Sequence, residues 1–310
     1  MTRSHHRLIV GAGLIGAMLA RRLAARGETV HIASRSGTAV SGARALRLDA
    51  ADASALCEAG QGARTIYLCV NPLYHRWRTD WPPVFAAAIE AARRSGAGLV
   101  IMGNLYAYGR PEGAMSEHSP CHPAEAKGQV RLEGWQAALA AHARGEIRAV
   151  EVRASDFFGP GAGKNAHLGV NFFAPLLASK TAWVIGDPDA LHSWSFVPDV
   201  VSTLIAAGDY EGDWGRVWHV PGGAPLSRRQ IAAQINERHG CRGRVAAIPA
   251  WMLRALGLFS PMLREVEAVS YQFREPFVID AAETERLLGV HATPWDEALA
   301  LTVEAYLRRP

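Results

Sequence analysis

The stretch Arg7-Leu8-Ile9-Val10-Gly11-Ala12-Gly13-Leu14-Ile15-Gly16 constrains this chain more than any other. Its apolar run up to Val10 predicts a short strand buried on both faces, as in a parallel sheet. From Leu14 the pattern turns helical: Leu14, Ile15, Met18, Leu19 and Leu23 recur at i, i+3, i+4, with Gly27 as the stop. Strand, glycine turn and helix in that order give G-x-G-x-x-G its meaning as a dinucleotide fingerprint. Gly11 allows the tight turn, Gly13 the close approach of a pyrophosphate, and Gly16 the packing of helix on strand. Leu14 and Ile15 then open the helix, whose N-terminus is an anion site. The alternative is a glycine-rich turn that holds no ligand.

At 310 residues and 49% hydrophobic, the chain can bury a large core and fits one α/β domain plus a smaller one. Lys+Arg 33 against Asp+Glu 29 leaves +4, spread along the chain without a basic block, so nucleic acid is not expected as a partner. No apolar run reaches the roughly 18 residues of a membrane span. The head 2–7 has no apolar core, so no signal peptide is expected. Cys57, Cys69, Cys121 and Cys241 lack metal-ligand spacing, so no metal is expected, and Cys69 reads as a small core residue. A reducing cytoplasm is the expected compartment.

A second strand over 29–33 ends in Ser34-Arg35-Ser36, and this junction selects the cofactor. An acid here would accept from a ribose 2′-hydroxyl, whereas an arginine suits a 2′-phosphate. No acid stands there, so Arg35, flanked by Ser34 and Ser36, predicts NADP, with NAD as the other candidate. A third strand over 44–48 ends at Asp49, placed to reach an adenine, and Asp52 reads as a helix N-cap. A fourth strand closes at Val70-Asn71-Pro72; a helix over 84–94 and a fifth strand over 98–102 follow. Strand–helix alternation with right-handed crossovers predicts a doubly wound parallel sheet, the Rossmann fold, with ligands at the strands' carboxyl ends. A sixth strand over 147–153, a strand over 215–220 returning to the sheet, and irregular material rich in His and Trp make up the rest. The expected division is a dinucleotide-binding domain over 1–160 joined by 195–220, and a smaller C-terminal α/β substrate domain from 161–194 and 221–310.

With these residues in order, the chain resembles the short-chain dehydrogenase/reductase superfamily in its extended branch, the NAD(P)-dependent epimerase/dehydratase family. The resemblance rests on Gly11 to Gly16, Asp49, Tyr108-Gly109, and Arg153 through Gly161, similar to R-x-x-N-x-Y-G-P-G. It continues through Gly186-Asp187, Phe196-Val197-Pro198-Asp199-Val200 and Gly215 to Val220. It implies a pocket between a Rossmann domain and a C-terminal substrate domain, and a homodimer seam from helices near 82–95 and 124–144. The departures are specific. Val10 replaces the first glycine of the family's G-x-x-G-x-x-G. The family's Ser/Thr falls on Asn104, and its Tyr-x-x-x-Lys falls on Glu125 and Gln129. The chain thus resembles an atypical member.

Reduction of a carbonyl needs a proton donor and a positive environment for the developing alkoxide. The nearest substitutes are Tyr106 as donor, Lys127 holding the nicotinamide ribose and lowering the tyrosine pKa, and Asn104 orienting the substrate oxygen. His122 and Glu125 are alternative acids, and Tyr108 reads as structural. Ser155, Phe157, His167, Asn171, His192 and Trp194 are candidates to line the substrate pocket together with Tyr106. The stretch 189–195 lacks the arginine with which the family commonly holds a sugar-nucleotide diphosphate. The expected function is therefore an NADP(H)-dependent oxidoreductase of a small carbonyl or enone. A nucleotide-sugar epimerase or dehydratase, and a non-catalytic NADP(H) sensor, are the alternatives.

Overall fold

The computed structural model describes residues 5–163, 166–258 and 260–308. Lys164, one of the three lysines, lies outside the described residues. The chain alternates β1 (His6–Val10), α1 (Leu14–Ala25), β2 (Val30–Ser34), β3 (Arg44–Arg47), α2 (Ala53–Ala59), β4 (Ala63–Leu68), α3 (Trp77–Ser95), β5 (Gly98–Asn104), α4 (Ala126–Ala143) and β6 (Arg148–Ala154). After these come β7 (Asp156–Phe158), α5 (Val170–Leu177), β8 (Thr181–Val184), β9 (Trp194–Phe196), α6 (Val197–Asp209) and β10 (Arg216–His219). The chain ends through α7 (Arg228–His239), β11 (Arg244–Ala247), α8 (Ala250–Gly257), α9 (Pro261–Ala268), α10 (Ala282–Leu288) and α11 (Trp295–Leu307).

Seven strands pair in the order β10-β6-β5-β4-β1-β2-β3, all parallel. The order reverses between β1 and β4, so the connections leaving their carboxyl ends turn to opposite faces of the sheet and open a crevice there. Every residue of β1 is buried. One apolar layer joins β1, β4 and β5 to α3 and α4, and another joins β1, β2 and β6 to α1 and α6. The returning strand, β10, pairs with β6 at the edge.

Local chemistry explains the boundaries. Asp52 accepts from Ala55 N at 3.0 Å and caps α2, as its position predicts. Ser227 and Gln230 cap α7 reciprocally. The expected helix 84–94 starts earlier, at Trp77. Pro82 and Pro83 leave two carbonyls of its first turns without intrahelical partners, but Trp77, Trp81 and Phe85 bury an aromatic row that holds those turns. α4 lies against α3 so closely that a Cβ on Gly134 would fall 2.1 Å from the Phe85 ring. A separate core gathers Phe158, Leu168, Phe172, Phe173, Trp194, Ile235, Phe273 and Tyr306, with β8 and β11 paired beside it. No helix among the described residues is long and apolar enough to cross a membrane.

Beneath the ends of β5 and β6 lies a buried charge cluster. Glu151 accepts from Arg153 Nε at 2.8 Å and lies 3.4 Å from Arg131 Nη2, which also donates to Met102 O. Arg131 stands 4.3 Å over the Trp81 ring. The single carboxylate balances two buried guanidiniums. Glu151→Ala leaves both uncompensated, and removing one partner of a buried pair costs about 3–5 kcal/mol. Urea unfolding of the variant is expected to show a loss of that size; an unchanged midpoint would refute the account.

Candidate functional site

The glycine turn meets its expected geometry. Gly11 adopts φ +115°, and a Cβ there would fall 2.7 Å from the Cys69 carbonyl carbon. A Cβ on Gly16 would fall 1.9 Å from the Gly11 oxygen, so the helix rests directly on the turn. A Cβ on Gly13 would meet nothing within 4 Å, and Gly13 caps α1 without a side-chain acceptor. Unspent amides at Leu14 and Ile15 and open space over Gly13 fit a pyrophosphate. Val70, Asn71 and Pro72 follow β4 on the other side of the crevice, where Cys69 N donates to Val10 O.

At the end of β2, Ser34 Oγ accepts from Thr38 N at 3.0 Å and Ser36 Oγ lies 2.7 Å from Thr38 Oγ1, which shapes the loop around Arg35. Arg35 is exposed, and its carbonyl accepts from Arg47 Nε at 3.2 Å. Arg47, which pairs with Ser34 across β2 and β3, is a second guanidinium at this corner. Sequence reading missed it because only strand register brings it there. Asp49 is exposed and accepts from Ala51 N at 3.0 Å.

Past β5, Asn104 Oδ1 accepts from Tyr106 N at 3.2 Å and closes the turn that carries Tyr106 and Tyr108. The Tyr106 hydroxyl lies 2.7 Å from that of Tyr74, which packs edge-on against Trp77. Burial, reinforced by Tyr74 and Asp156, pushes Tyr106 well above the ordinary tyrosine value. Burial likewise pushes Tyr74 up to about 12. This corrects the expectation that Lys127 lowers the Tyr106 pKa. Lys127 is buried and its ammonium is engaged by Glu265 of α9 and, at 3.3 Å, by Glu125. Its ammonium stands 5.8 Å from the centroid of the Tyr74 ring. Glu125 caps α4, accepting from Lys127 N at 2.6 Å and Gly128 N at 2.8 Å. Gln129 is exposed and donates to Glu133. His122 is exposed.

A second group lies past β6. His192 Nε2 is 3.0 Å from Asp156 Oδ2 and 3.3 Å from Ser155 Oγ, and its Nδ1 faces the Gln272 carbonyl at 3.1 Å. His167 Nε2 lies 4.0 Å from Asp156 Oδ1. Trp194 packs on His192, and Phe273 packs on both histidines. Burial raises the Asp156 carboxyl, but the His192 hydrogen bond, His167 and Arg228 outweigh it and hold it below the ordinary value. Tyr74 and Tyr106 both feel the Asp156 charge, which ties the two groups together. Burial also lowers the Arg228 guanidinium to about 10, and its Nη1 has no partner among the described residues. Phe157 packs instead with the α1–α6 core, and Asn171 is exposed on α5.

Ser155, His167, His192 and Trp194 are thus brought together, while Phe157 packs against another core. Sequence reading missed Asp156, although it holds the Asn place of R-x-x-N-x-Y-G-P-G. It also missed Tyr74, six residues past the end of β4. Gln272 and Glu265 carry no local signal, since only the fold brings them to this end of the sheet. Among the described residues no cluster suits a metal ion.

The sequence matches the NAD dependent epimerase/dehydratase family over residues 7–220, and the chain belongs to that family. Similar solved structures include MoeE5 in complex with UDP-glucuronic acid and NAD, at 21% identity, TM-score 0.78, covering 98% of this chain and 99% of that one. UDP-glucuronic acid 4-epimerase from Bacillus cereus, with UDP-glucuronic acid and NAD, is 17% identical at TM-score 0.79, covering 98% and 99%. A DesIV double mutant, the dTDP-glucose 4,6-dehydratase of Streptomyces venezuelae, is 18% identical at TM-score 0.75, covering 98% and 97%. No curated protein matches the sequence.

The turn after β5 is braced from behind by His219, which is fully buried. Its Nδ1 faces the Asp280 carbonyl at 2.8 Å and its Nε2 faces the Tyr108 hydroxyl at 2.7 Å. A neutral ring that donates from Nδ1 and accepts at Nε2 satisfies both contacts. Burial lowers its pKa below 6.5, so the unfolded chain binds this proton first. The stabilisation is complete above 6.5 and is lost as pH falls from there through the folded value. Thermal unfolding is expected to show a melting temperature that drops below pH 6.5 more steeply in wild type than in His219→Gln. Parallel curves would remove His219 from the account.

Proposed function

We propose that the chain is an NAD(P)-dependent enzyme of nucleotide-sugar epimerase or dehydratase type. Its dinucleotide would be held by Gly11, Gly13, Leu14, Ile15 and Gly16, with Ser34, Arg35, Ser36 and Asp49 at the adenosine end. Val70, Asn71, Pro72 and Lys127 would serve the other end, Lys127 once its carboxylate partners release it. The observation that carries the reading is the open approach over Gly13 at the β1–β4 crevice, shared with the sheet end that bears Tyr106, Tyr74 and Asp156. Family membership and the ligands named with MoeE5 and the Bacillus cereus epimerase support a nucleotide sugar over a small carbonyl or enone. Residues 161–194 and 221–310 would form the substrate-binding part.

The residues named above would hold the dinucleotide, which would supply hydride acceptance and return at the substrate carbon. In the Tyr106–Tyr74 pair, kept protonated by burial, one hydroxyl donates to the other and the second O–H would be left to donate toward a substrate oxygen; Asn104 fixes the turn that presents Tyr106. Arg228 offers the cation that the stretch 189–195 lacks. The reading is tested by thermal shift and calorimetry: NAD+ or NADP+ should bind, and a UDP- or dTDP-sugar should raise the melting temperature further. Failure of every nucleotide sugar to bind the dinucleotide complex would overturn it. The NADP oxidoreductase reading keeps one observation in its favour, the exposed Arg35 at a strand end without an acid.

Arg35 offers the test between the two dinucleotides. A charge-assisted hydrogen bond to a 2′-phosphate contributes about 1.5–3 kcal/mol, roughly tenfold or more in affinity. Arg35→Ala should weaken NADPH by that factor and leave NADH unchanged in calorimetry. An unchanged ratio would assign NAD. Tyr106→Phe should keep dinucleotide affinity while turnover falls; equal turnover would discharge Tyr106 from the chemistry.

A further inference from the structure

The positions that carry the family's tyrosine and lysine do other work here. Glu125 caps α4, Gln129 is tied to Glu133 at the surface, and Lys127 is engaged by two carboxylates. The Tyr74 and Tyr106 hydroxyls are paired to each other and remain protonated at neutral pH, so neither can take a proton. Oxidising a hydroxyl nonetheless requires a proton acceptor beside it.

Asp156 sits between two imidazoles, His192 at 3.0 Å from one carboxylate oxygen and His167 at 4.0 Å from the other. His192 has both nitrogens facing protein acceptors, is 2% exposed and cannot reach outward. His167 is 23% exposed and packs on Phe273 at 4.1 Å, with Nε2 toward Asp156. At 4.0 Å the contact is electrostatic and not a hydrogen bond; the carboxylate charge favours the neutral tautomer with its hydrogen on Nε2, which leaves the lone pair on Nδ1. We propose that His167 is the acid–base residue of this site, with Asp156 and His192 as the positioning residues that set its tautomer. The inference rests on the functional reading above.

In the oxidising direction the substrate O–H bond breaks and its proton moves to His167 Nδ1. The carbinol C–H bond breaks with it, the hydride leaving to the oxidised dinucleotide, and the C=O bond forms. Return of hydride and proton reverses both transfers. The charged groups facing His167 are Asp156 of β7, His192 before β9 and Arg228 of α7. Burial, Arg228 and His192 lower the imidazole and Asp156 raises it, the net direction being down. The ring is therefore neutral and able to accept at pH 7.

The test uses the full chain saturated with NAD+. Proton NMR of the histidine ring signals, assigned with His167→Gln, should show His167 titrating below the ordinary histidine value. Asp156→Asn should move that titration lower still, which a merely structural pairing with no charge at Asp156 would not do. Turnover of UDP-glucuronate, UDP-glucose and dTDP-glucose is followed by product chromatography. His167→Gln and His167→Asn should lower kcat roughly 10²–10⁴-fold with KM and NAD+ affinity nearly unchanged. The acid limb of the wild-type pH profile should follow the NMR titration. Full turnover in either variant, or a His167 titration indifferent to Asp156→Asn, overturns the proposal alone. No turnover of any sugar by wild type overturns the functional reading, and the assignment with it.

Discussion

Contact between α1 and β1 at zero side-chain thickness is the constraint on which the carboxyl edge of the sheet depends. The Gly11 oxygen occupies space that a Cβ on Gly16 would need, and the Cys69 backbone occupies space that a Cβ on Gly11 would need. With both glycines in place, α1 begins directly at the crevice and presents its unspent amides there. Gly13 sits between them and meets nothing, which marks the side from which a ligand approaches.

Charge is organised around this edge in layers. At the amino end of the sheet, Arg7 ties β1 to β4 through Thr65 at 2.9 Å and to α6 through Asp209. Beneath the carboxyl ends of β5 and β6, Arg131, Glu151 and Arg153 hold the strand ends together with no water-facing group. Above them the loops carry neutral hydroxyls and one compensated carboxylate. Burial suppresses ionisation at Tyr74 and Tyr106, and Asp156 remains charged because two imidazoles and Arg228 face it. Such a site keeps its hydroxyl donors neutral beside a carboxylate that stays ionised at neutral pH.

Local patterns were legible because they are properties of short segments. The G-x-G-x-x-G turn and the Asp52 cap follow from residues within about one element of each other, and the strand succession and family resemblance from the order and spacing of such short segments. The start of α3 was misjudged since Pro82 and Pro83 speak locally against a helix that Trp77 and Trp81 hold by packing. Lys127 was legible as unusual, but not its partner: Glu265 lies on another element and reaches it only in the folded chain.

By itself, then, the sequence determined the dinucleotide turn, the doubly wound sheet and the family, since each rests on periodicity, glycine placement and spacing. Tertiary structure decided which side chains share a microenvironment. Asp156, His167 and His192 come from three separate segments, and Phe273 and Gln272 from a fourth; their mutual distances do not exist until the loops close over the sheet. Desolvation and charge interactions depend on those distances and on the exclusion of water. The protonation states of the site are therefore a property of the fold and not of any stretch of the chain.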